Sequence, residues 1–516
     1  MSFYKLVPLG LTVAIAASLA ACGKGDESAA DTAAAAKPAF DLSSIKTAPI
    51  TLNAADVDTA VAACTDLNGF VNSKWLAANP VPGDQTTWGS FEILRERSLE
   101  VQHALVEQAA AKARDNPVQG KIGDIWKGGN DEAKIEAAGI APLQAQLDRI
   151  AGLADTAAIT AYLGESYAQG RTRVFSLSAN ADYKDSSNVI AYVGQGGLGL
   201  PEKGYYTDAA QAKIRDAYVA YIARMLELSG VEAAQAAEQA KAVMAFETRL
   251  ANASLSRIEL RDPSKRYNAV SAADADKITP NFKWESFFST LDIPASDKFS
   301  LAQPGFFAEL DKMLVDVPAS TWQAYLRFHA VDDAAPYLSS AFEQANFDFY
   351  GKTLRGQQEM QPRWKRVLDS VNGAMGEALG QLYVEAVFPA ESKEKMQHLV
   401  DNLSVALKAR LEKLEWMGDD TRAKALEKWA SFTPKIGYPD KWRNWDGLKT
   451  DAGDYLGTMQ AARAFNYRYM LDKIGKPVDR TEWGMSPQTV NAYYNATKNE
   501  IVFPAAILQP PFFDAK

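Results

Sequence analysis

Glu391-Ser-Lys-Glu-Lys-Met396-Gln-His398-Leu399-Val-Asp-Asn-Leu403-Ser-Val-Ala-Leu407-Lys-Ala-Arg-Leu411-Glu-Lys-Leu414-Glu-Trp-Met417 sets an apolar residue at every third or fourth position from Met396 to Leu414. That spacing follows the turn of an α-helix, so the stretch predicts one long amphipathic helix with a single apolar stripe. Working outward, the segment 206–251 reads the same way, and the Ala-rich tract 231–245 suits close helix packing. Helical text predominates from about residue 91 to 430. Pro201, Pro263, Pro280, Pro294, Pro304 and Pro318 punctuate it and mark an irregular zone at about 260–320. No repeat with the period of a solenoid is present. The fold class is mostly α.

The whole chain has 516 residues, of which 47% are hydrophobic and 23% charged, the balance of a globular protein. Its length allows two or three domains and a core that needs neither disulfide nor metal to fold. Lys+Arg number 55 against Asp+Glu 64, a net charge of −9. With no basic stripe, nucleic acid is excluded as a partner class.

The N-terminus carries Lys5, an apolar run from Leu6 to Leu19, and small residues leading to Cys22. This is the pattern of a secretory signal, too short and wrongly flanked for a membrane span. Leu19-Ala20-Ala21-Cys22 resembles a bacterial lipobox, which makes residues 1–22 a lipoprotein signal peptide and Cys22 the lipidation site. Ordinary cleavage beside a coincidental cysteine is the competing reading. Gly23 is not the aspartate associated with inner-membrane retention, so a periplasm-facing lipid anchor in the outer membrane is favoured. Residues 23–50 are rich in Ala, Ser and Asp and read as a flexible tether. No later apolar stretch is long enough to cross a membrane.

The inventory for chemistry is short. The histidines are His103, His329 and His398, none within five residues of another, so no H-E-x-x-H helix is present. His398 has Glu394, Lys395, Asp401 and Asn402 around it and reads as part of a solvated face; His103 and His329 read as structural. Gly194-Gln-Gly196-Gly197-Leu-Gly199 follows a strand-like Val189–Val193 and matches G-x-G-x-x-G. Pro201 and Gly204 would disrupt the helix that a dinucleotide site requires there, so the segment is a glycine-rich loop. In an oxidising compartment Cys64 is either a buried small hydrophobe or half of a pair whose partner is not in this sequence. Near the end, Val490–Tyr494 and Glu500–Phe503 read as two strands of a hairpin around a polar turn. An isolated hairpin is marginal in water, so this one either docks on the helical body or opens a further domain that the chain does not complete; the second is expected.

Several strings resemble the neprilysin and endothelin-converting-enzyme metallopeptidases. They begin with Cys64-Thr-Asp-Leu-Asn-Gly-Phe-Val-Asn-Ser-Lys74-Trp75, Asn79-Pro-Val-Pro82 and Trp88-Gly-Ser-Phe91. They continue with Gln195–Pro201 and Tyr205-Tyr206, Arg261-Asp262 with Tyr267-Asn268, Gly380–Glu385, and Trp416-Met417 leading into Lys435-Ile-Gly437-Tyr438-Pro439-Asp440. Trp483–Pro487, Val490-Asn-Ala-Tyr-Tyr494 and Ile501–Phe513 close the series. The resemblance runs in order from about residue 60 to 516.

It implies a zinc peptidase with two mostly helical lobes around a large cavity that admits small peptides. On this pattern residues 51–480 form a helical N-terminal peptidase lobe. Residues 481–516 supply a β-hairpin that begins an incomplete thermolysin-like α+β lobe. The family's Asn-Ala pair, here Asn491 and Ala492, holds the substrate main chain on an edge strand, the logic of strand addition. The family's zinc helix and third ligand follow that strand, and no residue here matches them, so no catalytic residue or metal ligand transfers to this chain. Zinc is expected for the full-length family member and none is expected to be bound by these residues. Cys64 matches a family cysteine that pairs near the far C-terminus. Thr87 stands where neprilysin has an arginine for a free substrate carboxylate, which favours endopeptidase behaviour. The expectation is the N-terminal part of a lipid-anchored zinc metalloendopeptidase, inactive alone; the alternative is a non-catalytic peptide-binding envelope lipoprotein.

Overall fold

The computed structural model describes residues 40–42, 53–111, 116–293 and 298–515. The signal segment, Cys22 and most of the tether lie outside the described residues. Helices dominate, and their starts follow from local chemistry. Asp66 and Asp155 accept from the Gly69 and Ala158 amides, each at 2.8 Å, to cap the helices Leu67–Ala78 and Thr156–Ala168. Pro304 sits in the first turn of Pro304–Asp316, where its missing N–H costs nothing. The zone at 260–320 is therefore not irregular throughout: it holds the helices Ala272–Ile278, Trp284–Thr290 and Pro304–Asp316. Prolines there open elements instead of only breaking them.

Two apolar cores organise the described residues. The first gathers Tyr167, Phe175, Trp284, Trp322 and Phe328, all fully buried. Around it pack Thr156–Ala168, Ala212–Leu228, Ala233–Ala253 and Ala319–Ala334. A four-stranded sheet belongs to this core: β1 (Phe175–Ala181), β2 (Val189–Gln195), β3 (Ala269–Val270) and β4 (Phe299–Leu301), in the order β1-β2-β4-β3. β1 and β2 form an antiparallel pair from Phe175↔Gln195 to Ala181↔Val189. The second core joins Leu105, Ile122, Val367, Val371 and Leu379 from Ser90–Ala111, Pro117–Asn130 and Arg363–Val387.

The C-terminal hairpin belongs to this second core. β6 (Tyr493–Asn495) and β7 (Glu500–Pro504) pair antiparallel, and β7 runs parallel to β5 (Thr433–Gly437). Its continuation Ala505–Leu508 is buried against the helices. The hairpin is thus docked on the helical body.

The 391–417 stripe is helical over Ala390–Leu411, but only part of it is covered. Met396 and Val400 are buried, whereas Leu399, Leu403 and Leu407 are 42%, 61% and 49% exposed. The helix packs on β5 and on Asp419–Ala430 along one narrow line. Spacing identifies a face but not what lies against it. Cys64 is exposed, which removes its reading as a buried hydrophobe.

Candidate functional site

Asn491 and Ala492 lie just ahead of β6, the edge strand of the sheet β5-β7-β6. The strand begins at Tyr493 and not at Val490, because the preceding residues bond locally. The Asn491 amide donates to the Thr489 carbonyl at 3.0 Å, and the Ala492 amide to Asn491 Oδ1 at 2.8 Å. Asn491 itself is exposed. An amide side chain at an open sheet edge offers a donor and an acceptor in the plane where an added strand would pair.

The approach to Asn491 is fixed by a buried polar network. The Gln488 side chain donates to Asn372 Oδ1 at 2.7 Å and to the Gly376 carbonyl at 2.8 Å. Asn372 donates to Gln102 Oε1 at 2.8 Å, and the Ser98 hydroxyl to the Gln488 carbonyl at 2.9 Å. Gly380 makes this possible: a Cβ there would stand 2.5 Å from Pro487 Cδ. The helix Arg363–Val387 also kinks at Met375 (φ −137°, ψ 34°), between Gly373 and Gly376. Beside the kink, Asn466 donates to the Ala374 carbonyl at 3.0 Å.

The other strands of this sheet are pinned by a buried ion pair. Lys435 of β5 meets Glu500 of β7 at 2.6 Å, with both side chains almost wholly covered, and donates to the Glu482 carbonyl at 2.8 Å. Gly437 closes β5 with φ 80°, and a Cβ there would meet the Phe388 ring at 2.5 Å. Lys435 and Gly437 of the K-I-G-Y-P-D string thus shape the sheet that presents Asn491.

A cavity of about 930 Å³ opens at the seam between the two cores. Its wall includes Tyr337, Tyr467 and Met470 from the first core's margin and Val367, Ala374 and Met459 from the second. Arg355, Arg363, Arg366 and Arg463 line it beside Glu343 and Asp369, while Asn491 and Ala492 do not. Sequence reasoning missed this wall. Its one textual signal is the cationic run Gln361-Pro-Arg363-Trp-Lys365-Arg366.

The histidines do not assemble a metal centre. His103 stacks on Trp364 with ring centroids 4.3 Å apart, and His398 stands in solvent beside Glu394. His329 is buried, its Nε2 2.8 Å from Glu247 Oε1. Glu247 also accepts from Tyr206 at 2.5 Å, from Tyr218 at 3.1 Å and from the Gly199 amide at 3.0 Å. Burial first, and then the Glu247 charge, push both tyrosine hydroxyls well above their ordinary value, so they stay protonated as donors. The glycine-rich loop is therefore tied to a buried carboxylate, and a Cβ at Gly199 would collide with the Tyr218 hydroxyl. Among the described residues no three His, Cys, Asp or Glu side chains are grouped to hold a metal ion. These residues do not fit a catalytic zinc.

Comparison with known proteins bears on the whole arrangement. The sequence profile of peptidase family M13 matches residues 63–439 with its N-terminal part and residues 491–516 with its second part. Endothelin-converting enzyme 1 of Bos taurus is 28% identical over 480 residues, covering 89% of this chain and 63% of the relative. Neprilysin-3 of Drosophila melanogaster is 27% identical, covering 89% and 62%. The chain thus spans about 63% of the length of the curated relatives it matches. Among solved structures, the Mycobacterium tuberculosis zinc metalloprotease Zmp1 in complex with an inhibitor superposes with a TM-score of 0.85 at 37% identity, over 90% of this chain and 71% of that one. PepO from Lactobacillus rhamnosis HN001 superposes with a TM-score of 0.81 at 25% identity, over 87% and 72%. From the first motif near Cys64 through the docked β6–β7 hairpin, sequence and fold agree, and the chain belongs to peptidase family M13, the neprilysin and endothelin-converting-enzyme peptidases.

Proposed function

We propose that these residues form the peptide-binding part of a neprilysin-like zinc metalloendopeptidase. Substrate lies as an added strand along the edge of β6, with its main chain held by Asn491 and Ala492. The observation that carries this reading is the exposed Asn491 at an edge strand that has no strand on its outer side among the described residues. Thr87 supports internal cleavage over release of C-terminal dipeptides. It carries no charge, and its hydroxyl donates to Glu92 Oε1 at 3.1 Å.

Hydrolysis requires a metal-bound water and a base near the scissile bond, and these residues supply neither ligand set nor base. The 516 residues alone therefore bind peptide without cleaving it. Incubating the purified chain with zinc and an internally quenched peptide is expected to give no cleavage above buffer. Zinc-dependent cleavage would overturn that statement.

A second reading is a non-catalytic peptide-binding envelope lipoprotein that uses the same exposed Asn491. On both readings Cys22 carries lipid and holds the chain at the periplasmic face of the envelope, with the outer membrane favoured. Labelled palmitate entering the wild type but not Cys22→Ser is the expected outcome; equal labelling would contradict it.

A further inference from the structure

The seam cavity carries a charge pattern that strand addition at β6 does not use. The helix Arg363–Val387 opens with Arg363, Lys365 and Arg366 and has no acid in its first turn. A helix N-terminus is already positive, so cations there are of the wrong sign unless something else answers them. Lys365 is answered by Glu96 at 2.7 Å and Asp84 at 3.3 Å. Arg363 and Arg366, by contrast, share the single carboxylate of Glu343. Arg366 Nε and Arg363 Nη2 find no hydrogen-bond partner among the described residues.

The rest of the wall repeats the imbalance. Arg463 lies 3.8 Å from Asp333, a carboxylate that Arg173 also engages. Arg355 is exposed and donates to the Tyr350 carbonyl at 2.8 Å. Burial raises the Asp369 carboxyl above its ordinary value, against the pull of Arg95 and Lys365. Asn466 Oδ1 and the Tyr467 hydroxyl add polar groups without a hydrogen-bond partner among the described residues. The adjoining Phe347–Leu354 segment is wound as a π-helix, a form that recurs at functional sites.

We propose that this cavity receives an acidic segment of the bound peptide, its Glu or Asp carboxylates facing Arg355, Arg366 and Arg463. The inference rests on the peptide-binding reading and names the substrate class for it. Guanidinium groups suit the task because their planar donors match a carboxylate and stay charged at every physiological pH.

The test is fluorescence anisotropy on the intact chain at low salt. The labelled probes are a peptide with several glutamates and its glutamine isostere, each with a free or an amidated C-terminus. The glutamate peptide is expected to bind about tenfold more tightly, the size of a charged hydrogen bond, whatever its terminus. Arg355→Gln combined with Arg463→Gln should bring the two peptides within about twofold, leaving the glutamine peptide's affinity and the unfolding midpoint unchanged. If that variant does not fold, Arg355→Gln alone, on an exposed side chain, should lose about threefold of the preference. Equal binding of both peptides by the wild type, or full preference in the variants, overturns the proposal and leaves peptide binding intact. A preference that follows the free terminus alone also overturns it. Failure of every probe to bind overturns the peptide-binding reading itself.

Discussion

Glu247 shows how much one buried side chain can decide. Its carboxylate collects Tyr206, Tyr218, the Gly199 amide and His329 beneath the glycine-rich loop. Glu247→Ala would leave those donors without an acceptor in a dry site, at a cost of at least about 3 kcal/mol. A loss of unfolding free energy in urea titration of less than about 1 kcal/mol would contradict the role. The rejection of a dinucleotide site at Gly194–Gly199 was legible from Pro201 and Gly204; the carboxylate that organises the loop was not, because Glu247 lies 48 residues further along the chain than Gly199. Asp369 gives a pH signature at the same scale. Its raised carboxyl keeps its proton longer in the folded than in the unfolded chain, so its stabilising contribution is present at acid pH and lost as pH rises through the raised value. Asp369→Asn, which cannot ionise, is expected to gain stability on the wild type between acid and neutral pH. A pH-independent difference would contradict the assigned cause.

Among the elements, the helix Arg363–Val387 links both parts of the site. Its first turn supplies two of the cavity guanidiniums, Arg363 and Arg366, and its middle turns, at Gly376 and Gly380, receive Pro487 and Gln488 on the way to Asn491. Gly380→Ala forces a Cβ to 2.5 Å from Pro487 Cδ. It should cost about 1–3 kcal/mol and weaken peptide binding in step, since the strain moves the segment that presents Asn491. Calorimetry and a binding titration check both effects; unchanged affinity with lowered stability would separate the helix from the site. Helix existence was readable from spacing over most of residues 91–430, but not at 260–320, where prolines masked the helices Ala272–Ile278, Trp284–Thr290 and Pro304–Asp316. The burial of the 391–417 stripe was not readable, since Met396 is covered while Leu403 on the same stripe stands in solvent. Strand β1 also escaped: Phe175–Ala181 alternates apolar residues with Ser and Asn, as a half-buried strand does, but it holds no β-branched residue and takes its burial from neighbours distant in sequence.

At the scale of the molecule, two cores meet at a polar seam, and the β6 edge beside the second core has no strand on its outer side among the described residues. The motif order identified the family because those strings sit where elements pack closest: side chains of Tyr218, Pro487 and Phe388 press on Gly199, Gly380 and Gly437 at distances that leave no room for a Cβ, and Lys435 pairs with the buried Glu500. The cavity wall was illegible because its arginines come from separate helices and are brought together only by the packing of the two cores. The central claim is that peptide joins the open edge of β6, and hydrogen exchange at Tyr493–Asn495 tests it most directly. Saturating peptide is expected to slow exchange of the outward-facing amides in this strand, and Asn491→Ala to abolish that protection. Peptide that binds while these amides exchange at an unchanged rate would contradict the account.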